Sequence, residues 1–324
     1  NAHRTMVTIW ITRAPAVPPL AGRAQSGNPG NGSGGGGVYS SPGIYYSLQT
    51  SAQFGSVGPF LFPQIAGSGV VGPILVSNDV WNPPGGYWKQ VLYCASPAQF
   101  EVIANFPAGN GAVLTYPSNG ITYSNPSNTS LPLLLQDITS FTSTFSEVQP
   151  HNPGVASEAA YDTWFNNYAD EVMVQHDMVD PDNLRGGFPS IGSATFGGAG
   201  GIPVHNWNLG IFGAEIIWQL ADGVVNGVGG IQDGSIDFRA MVNWLADRGY
   251  LVNGLASPVT AVGYGWEICS TNGQDYLYRC NGFTSSFTYA PMQTSQGLEL
   301  SGFTVTGPGP RDTINNVTVT VTEH

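Results

Sequence analysis

Turn-forming residues cut this chain into short pieces, and that spacing constrains the fold more than any other feature. From about Ile44 onward, alternating apolar segments such as Trp88–Cys94, Phe100–Phe106, Phe141–Val148, Ala159–Phe165 and Glu215–Leu220 are separated by clusters of Gly, Asn, Ser and Pro. Pieces of this length cannot be core helices; they read as strands of an all-β sandwich or barrel. The 44 glycines and 24 prolines among 324 residues supply the turns. Ala112–Pro117 reads as one more strand ending in a turn at Ser118-Asn-Gly120, and Leu298–Thr306 and Val317–Thr322 as late strands.

One segment breaks the pattern. In Ser235–Gly249, Phe238, Met241, Val242 and Leu245 follow helical spacing, with Ser235 as the expected N-cap and Gly249 as the stop. A single amphipathic helix (about 235–248) is therefore expected to pack outside a sheet. Residues 1–45 form an N-terminal extension whose Gly27–Gly37 stretch reads as a linker or long loop, and 46–324 form the main domain.

Charge narrows the partners. Charged residues make up 9% of the chain and the formal net charge is −12. Such a chain has little with which to neutralise phosphates, which argues against nucleic acid. No apolar run is long enough to span a bilayer, so a membrane partner is not expected. The start, Asn1-Ala-His-Arg, shows no signal-peptide core, as in a processed or a cytosolic chain. Cys94, Cys269 and Cys280 are an odd set; Cys269 and Cys280 flank a turn and could close a hairpin as a disulfide, which favours an oxidising compartment. Asn31, Asn128 and Asn316 lie in glycosylation sequons.

Two strands carry a charge where a strand does not ordinarily hold one. In Tyr168–Met178, Glu171, Met173 and Gln175 share one face, while Val172, Val174 and His176 share the other. The valine face can fill a core, which leaves Glu171 either solvent-facing at a sheet edge or lining a wet cleft. In Gly263–Gly273, Glu267 sits beside Trp266 amid apolar and small residues, where burial would raise its pKa. Two carboxylates on separate strands of one curved sheet would suit glycoside hydrolysis. His176, Asp177, Asp180 and Asp182 match no established metal loop and read as a polar turn, so no metal or other cofactor is expected. His151 and His205 read as ordinary loop histidines.

Asn78-Asp-Val-Trp81, Thr115-Tyr-Pro-Ser-Asn119, Tyr161-Asp-Thr-Trp-Phe165, Glu171-Val-Met-Val174, Gly197–Ile202, the helical segment and Gly265-Trp-Glu-Ile268 follow one another along the chain. In this order they resemble segments of glycoside hydrolase family 12, the jelly-roll β-1,4-glucanases. The resemblance spans about residues 65–306. It implies a jelly-roll sandwich of two antiparallel sheets and a secreted, monomeric, retaining endo-β-1,4-glucanase acting on cellulose, mixed-linkage glucan or xyloglucan. Glu171 would be the nucleophile, Glu267 the acid/base, and Asp162 would settle the charge of Glu171. Trp81, Asn78, Met173, Gln175 and Trp266 would contact sugar, with Trp81 as a stacking platform or else a buried core residue. Gln175 stands where the family usually has Trp, so the preferred glycan is expected to differ from plain cellulose. The competing expectation is a non-catalytic carbohydrate-binding or structural surface protein on the same sandwich.

Overall fold

The computed structural model describes residues 59–63, 70, 72–126 and 130–290, together with the backbone of three strands near the ends of the chain. The strands are β1 (Arg4–Ile9), β2 (Tyr46–Ser51), β3 (Phe60–Phe62), β4 (Ile74–Ser77), β5 (Lys89–Ser96) and β6 (Gln99–Asn105). Then come β7 (Ser118–Thr122), β8 (Leu133–Leu134), β9 (Ile138–Val148), β10 (Val155–Phe165), β11 (Asp170–Val179) and β12 (Gly192–Phe196). After these follow β13 (His205–Phe212), β14 (Glu215–Leu220), β15 (Val228–Gly230), β16 (Asp233–Asp237), the helix α1 (Phe238–Asp247), β17 (Pro258–Thr271), β18 (Tyr276–Tyr289) and β19 (Val317–Thr322). Among the described residues no helix is long and apolar enough to cross a membrane.

The chain divides into two compact units: residues 34–292, and a unit drawn from both ends, 1–33 and 293–324. In the smaller unit β1 pairs antiparallel with β19, from Arg4 opposite Thr322 to Ile9 opposite Val317. The expected strand at 317–322 is present. The linker at 27–37, the strand expected at 298–306 and the three sequons fall outside the described residues.

The larger unit is the sandwich. One sheet runs β12-β13-β14-β11-β10-β17-β7-β4-β3, with β15 added beside β11 and β8 beside β17; the other runs β16-β9-β18-β6-β5-β2. Among the described strands all pairings are antiparallel except β11 with β14, which run parallel with Glu171 opposite Glu215. Alternation sets the two faces of the large sheet. Tyr161, Val172, Val174, Trp218, Tyr264 and Trp266 turn inward and join Phe100, Phe141, Phe145 and Tyr278 of the other sheet in one buried core. The opposite face of the same strands carries a small second cluster, Tyr116, Ala160, Met173 and Ile217, flanked by Trp164 and Phe188.

Three expectations need correction. The helix begins at Phe238 because Asp237, rather than Ser235, caps it: the Asp237 carboxylate accepts from the Ala240 N–H at 3.0 Å. Ser235 instead pairs with Thr144 in β16. The anticipated apolar stripe is intact, with Phe238, Met241, Val242 and Leu245 buried, and Phe238 packs edge-on against Phe141 and Tyr161. Second, Ala112–Pro117 is not a strand, Thr115 alone making isolated bridges, and Ser118-Asn-Gly120 is not a turn but the start of β7. Asn119 is held there by its side chain, which accepts from the Tyr264 N–H at 3.0 Å and donates to the Pro97 carbonyl at 2.8 Å. Third, no disulfide joins the three cysteines, all of which are buried. The turn after Thr271 carries the chain from one sheet to the other, so Cys269 and Cys280 belong to different layers rather than to one hairpin.

Candidate active site

Strand parity places every acid of the proposed site on the outward face of the large sheet. On β10, Glu158 and Asp162 share that face with Ala160 and Trp164; on β11, Glu171, Met173 and Gln175 share it; on β14, Glu215 and Ile217; on β17, Glu267. The β17 backbone can lie close under its neighbours because Gly263 and Gly265 stand on this face. A Cβ on Gly265 would stand 2.1 Å from the Pro117 carbonyl oxygen, and one on Gly263 would stand 3.1 Å from the Trp164 ring. Register then fixes the acids along the sheet. Asp162 lies opposite Met173 and is thus diagonal to Glu171, while Glu267 lies opposite Glu158. Glu171 and Glu215 are direct neighbours across the parallel pair.

These groups feel one another. Burial pushes Asp162 well above the usual carboxylate range, and the charges of Glu171, Glu267 and Glu215 push it further. Burial likewise raises Glu215, to about 7, with Glu267 and Glu171 adding to the effect and Arg185 opposing it. Glu267 is raised by burial against the opposing pull of Arg185. Tyr116, whose hydroxyl donates to the Ala160 carbonyl at 3.3 Å, is kept neutral by burial and by Asp162, Glu267 and Glu171. Glu171, Glu215, Asp162, Glu267 and Tyr116 therefore surround one stretch of the outward face. Carboxyls held protonated beside ionised ones can donate, accept and exchange protons near neutral pH.

The remaining candidates divide. Met173 floors the face beneath Glu171. Trp81 is 46% exposed in the loop after β4, free to present its ring to a ligand. Trp266 is fully buried on the inward face, where its indole donates to Glu147 at 3.1 Å, so it cannot touch sugar. Its side chain points opposite to that of Glu267, as adjacent strand residues must. Asn78 is also fully buried, accepting from Gln90, and is a structural residue. Gln175 lies on the correct face but is spent: it donates to Glu158 at 3.1 Å and accepts from Gln219 at 3.1 Å.

His176 and Asp177 do not form a polar turn. His176 lies inward by alternation with Val172 and Val174, and a bulge in β11, where Ala160 faces Gln175 and Ala159 faces Asp177, turns Asp177 inward as well. His176 stacks on Phe145 and Tyr264, and burial pushes it down to about 4. Asp177 accepts from His151 at 2.9 Å, so His151 is tied to the strand rather than free in a loop. His205 opens β13 and lies 3.5 Å from Asp222. Asp180 does serve a turn, accepting from the Leu184 and Arg185 N–H groups. Among the described residues no group of three His, Cys, Asp or Glu is arranged to hold a metal.

Sequence reasoning missed Glu158, Glu215, Tyr116 and Arg185. Glu215 was legible in principle, since Glu215-Ile-Ile-Trp-Gln219 repeats the acid-first alternation of Glu171-Val-Met-Val-Gln175.

No family model and no curated protein sequence matches the chain. Solved structures do. The xyloglucanase domain of NopAA, a type three effector from Sinorhizobium fredii solved with cellobiose, superposes with a TM-score of 0.53 at 19% identity, covering 74% of this chain and 98% of that one. A family 12 xyloglucanase from Bacillus licheniformis gives 0.53 at 17% identity over 75% of this chain and all of that one. Endoglucanase 3 of family 12 from Trichoderma harzianum gives 0.53 at 18% identity over 77% of this chain and all of that one. The chain thus has the jelly-roll fold of the family 12 glycoside hydrolases.

Proposed function

We propose that this protein is a retaining endo-β-1,4-glucanase that hydrolyses β-glucan chains, xyloglucan among them, outside the cell and as a monomer. The observation that carries the reading is the gathering of Glu171, Asp162 and Glu267 on one face of a family-12-like sheet, each within the electrostatic reach of a common set of neighbours. Glu267, which burial keeps protonated to higher pH than a free glutamate, donates to the leaving oxygen while Glu171 attacks the anomeric carbon. The glycosyl–Glu171 ester then yields to a water that Glu267 deprotonates, which restores both groups. Asp162, held protonated, adds no charge beside the nucleophile and leaves the negative charge on Glu171. Trp81 offers an exposed ring for a glucose unit to stack on.

One observation favours a non-catalytic carbohydrate binder instead: Arg185 lies 3.4 Å from the Glu267 carboxylate. Reducing-sugar release from xyloglucan, mixed-linkage glucan and carboxymethylcellulose separates the two readings. The wild-type chain is expected to cleave at least one, and Glu171→Gln and Glu267→Gln to lower the rate by about 10²–10⁴-fold while remaining folded. Binding without release, unchanged by either substitution, would establish the binder.

A further inference from the structure

The loop between β11 and β12 folds back over the outward face, and its construction is specific. It leaves β11 with the Asp180 N–H bonded to the Gly227 carbonyl at 2.7 Å. The Asp180 carboxylate then accepts from the N–H groups of Leu184 and Arg185, at 2.7 and 3.0 Å. Asn183 takes up a left-handed conformation, φ +53°, which Asn tolerates. Glycines make room for it: a Cβ on Gly111 would stand 1.9 Å from the Leu184 carbonyl oxygen, and one on Gly210 2.6 Å from the Phe188 ring. What this loop delivers to the sheet is the Arg185 side chain. Its guanidinium forms an ion pair with the fully buried Glu158 and reaches Glu267 at 3.4 Å.

Arg185 thereby closes a polar row that crosses four adjacent strands. Gln219 of β14 donates to Gln175 of β11, Gln175 donates to Glu158 of β10, and Arg185 joins Glu158 to Glu267 of β17. We propose that Arg185 is a positioning residue for the acid/base Glu267: the Asp180-clamped loop lodges it between Glu158 and Glu267, so that this row fixes where the Glu267 carboxyl points and which proton state it holds. This rests on the hydrolase reading for its catalytic part. The groups that face Glu267 and Arg185 are Glu158 and Asp162 on β10, Glu171 on β11, Glu215 on β14, Cys269 on β17, Tyr116 before β7, and Asp180 in the loop itself. Most of them are acids, and Arg185 is the cation set among them. A shared guanidinium suits the two halves of double displacement. It tolerates the Glu267 carboxylate when the proton has gone to the leaving group, and Glu158 keeps it from holding Glu267 ionised beforehand.

The test follows the Glu267 carboxyl by NMR in the full chain labelled with 13C-carboxyl glutamate, its resonance identified by its loss in Glu267→Gln. Arg185→Met is expected to raise the Glu267 midpoint by about one unit or more, and Arg185→Lys to restore most of the shift. Glu158→Gln, which is isosteric and leaves Arg185 wholly to Glu267, is expected to lower the midpoint; it gives an answer even where Arg185→Met does not fold. In sugar release from xyloglucan, the alkaline limb of kcat/KM should move with the midpoint, and kcat should fall more than KM rises. Midpoints unmoved in both Arg185→Met and Glu158→Gln would overturn the proposal, while hydrolysis that still depends on Glu171 and Glu267 would leave the hydrolase reading standing. Midpoints that move as expected in a chain that cleaves no β-glucan would confirm the coupling and overturn the hydrolase reading.

Discussion

Trp266 and Glu267 are neighbours in the chain and lead into two different clusters of buried acids. Trp266 points inward, to Glu147, which lies beside Asp177, His151, Gln149 and His176. Glu267 points outward, to Glu158, Arg185 and the group around Asp162 and Glu171. Both clusters put carboxylates out of water, so burial does not distinguish them. The balance of charge does. In the inner cluster, burial and the Asp177 charge keep Glu147 protonated. Burial also works against ionised Asp177, but hydrogen bonds from His151 and its neighbours outweigh it and hold Asp177 below its ordinary value. One negative charge meets one histidine, whose own pKa the Asp177 hydrogen bond raises. In the outer cluster Arg185 reaches Glu158, Glu267 and Glu215, while Asp162 and Glu171 add two more acids beside Glu215 and Glu267. An inward cluster settled this way is a structural joint between the sheets. An outward one left with excess acid suits the proton transfers proposed for it.

That contrast breaks most visibly at Asp177. Asp177→Ala should cost about 2–3 kcal/mol, because it leaves the Glu147 carboxyl, buried inside the sandwich, without the acceptor it bonds to. Thermal unfolding should register this as a large fall in Tm, while the activity of the folded fraction stays close to that of the wild type. A loss of activity without a loss of stability would place the inner cluster in the chemistry.

A smaller effect of opposite sign is expected at Glu215. Its folded pKa, about 7, lies above the ordinary value of 4.5, so between those values the folded state binds more protons than the unfolded one. Glu215 therefore subtracts from stability as pH rises through that window. Glu215→Gln should raise Tm by a few degrees at pH 7.5 and leave it unchanged at pH 4, where both forms are neutral. Equal shifts at the two pH values would show that packing, not charge, is responsible.

The sandwich was legible because its signals are local: turn residues space the strands, and alternation assigns their faces, as at Glu171–Gln175. The helix stripe from Phe238 to Leu245 was legible for the same reason. What sequence could not show depends on contacts made across the fold. Asn119 looks like a turn residue until Tyr264 and Pro97 bond its amide. The bulge at His176 appears only when β11 is set against β10, and it reverses the face of Asp177. Arg185 reads as one charge in a polar loop, and only the tertiary structure lodges it between Glu158 and Glu267. Trp266 follows the general rule: a residue next to a site residue in a strand faces away from the site.

The most direct test of the central claim is the configuration of the sugar first released. Proton NMR of the anomeric region during the first minutes of xyloglucan or mixed-linkage glucan hydrolysis shows it before mutarotation erases it. Double displacement through Glu171 with Glu267 as acid/base predicts that the β-anomer appears first and the α-anomer grows in later. An α-anomer that appears first would contradict the account, because it would mean that water, and not Glu171, attacks the anomeric carbon.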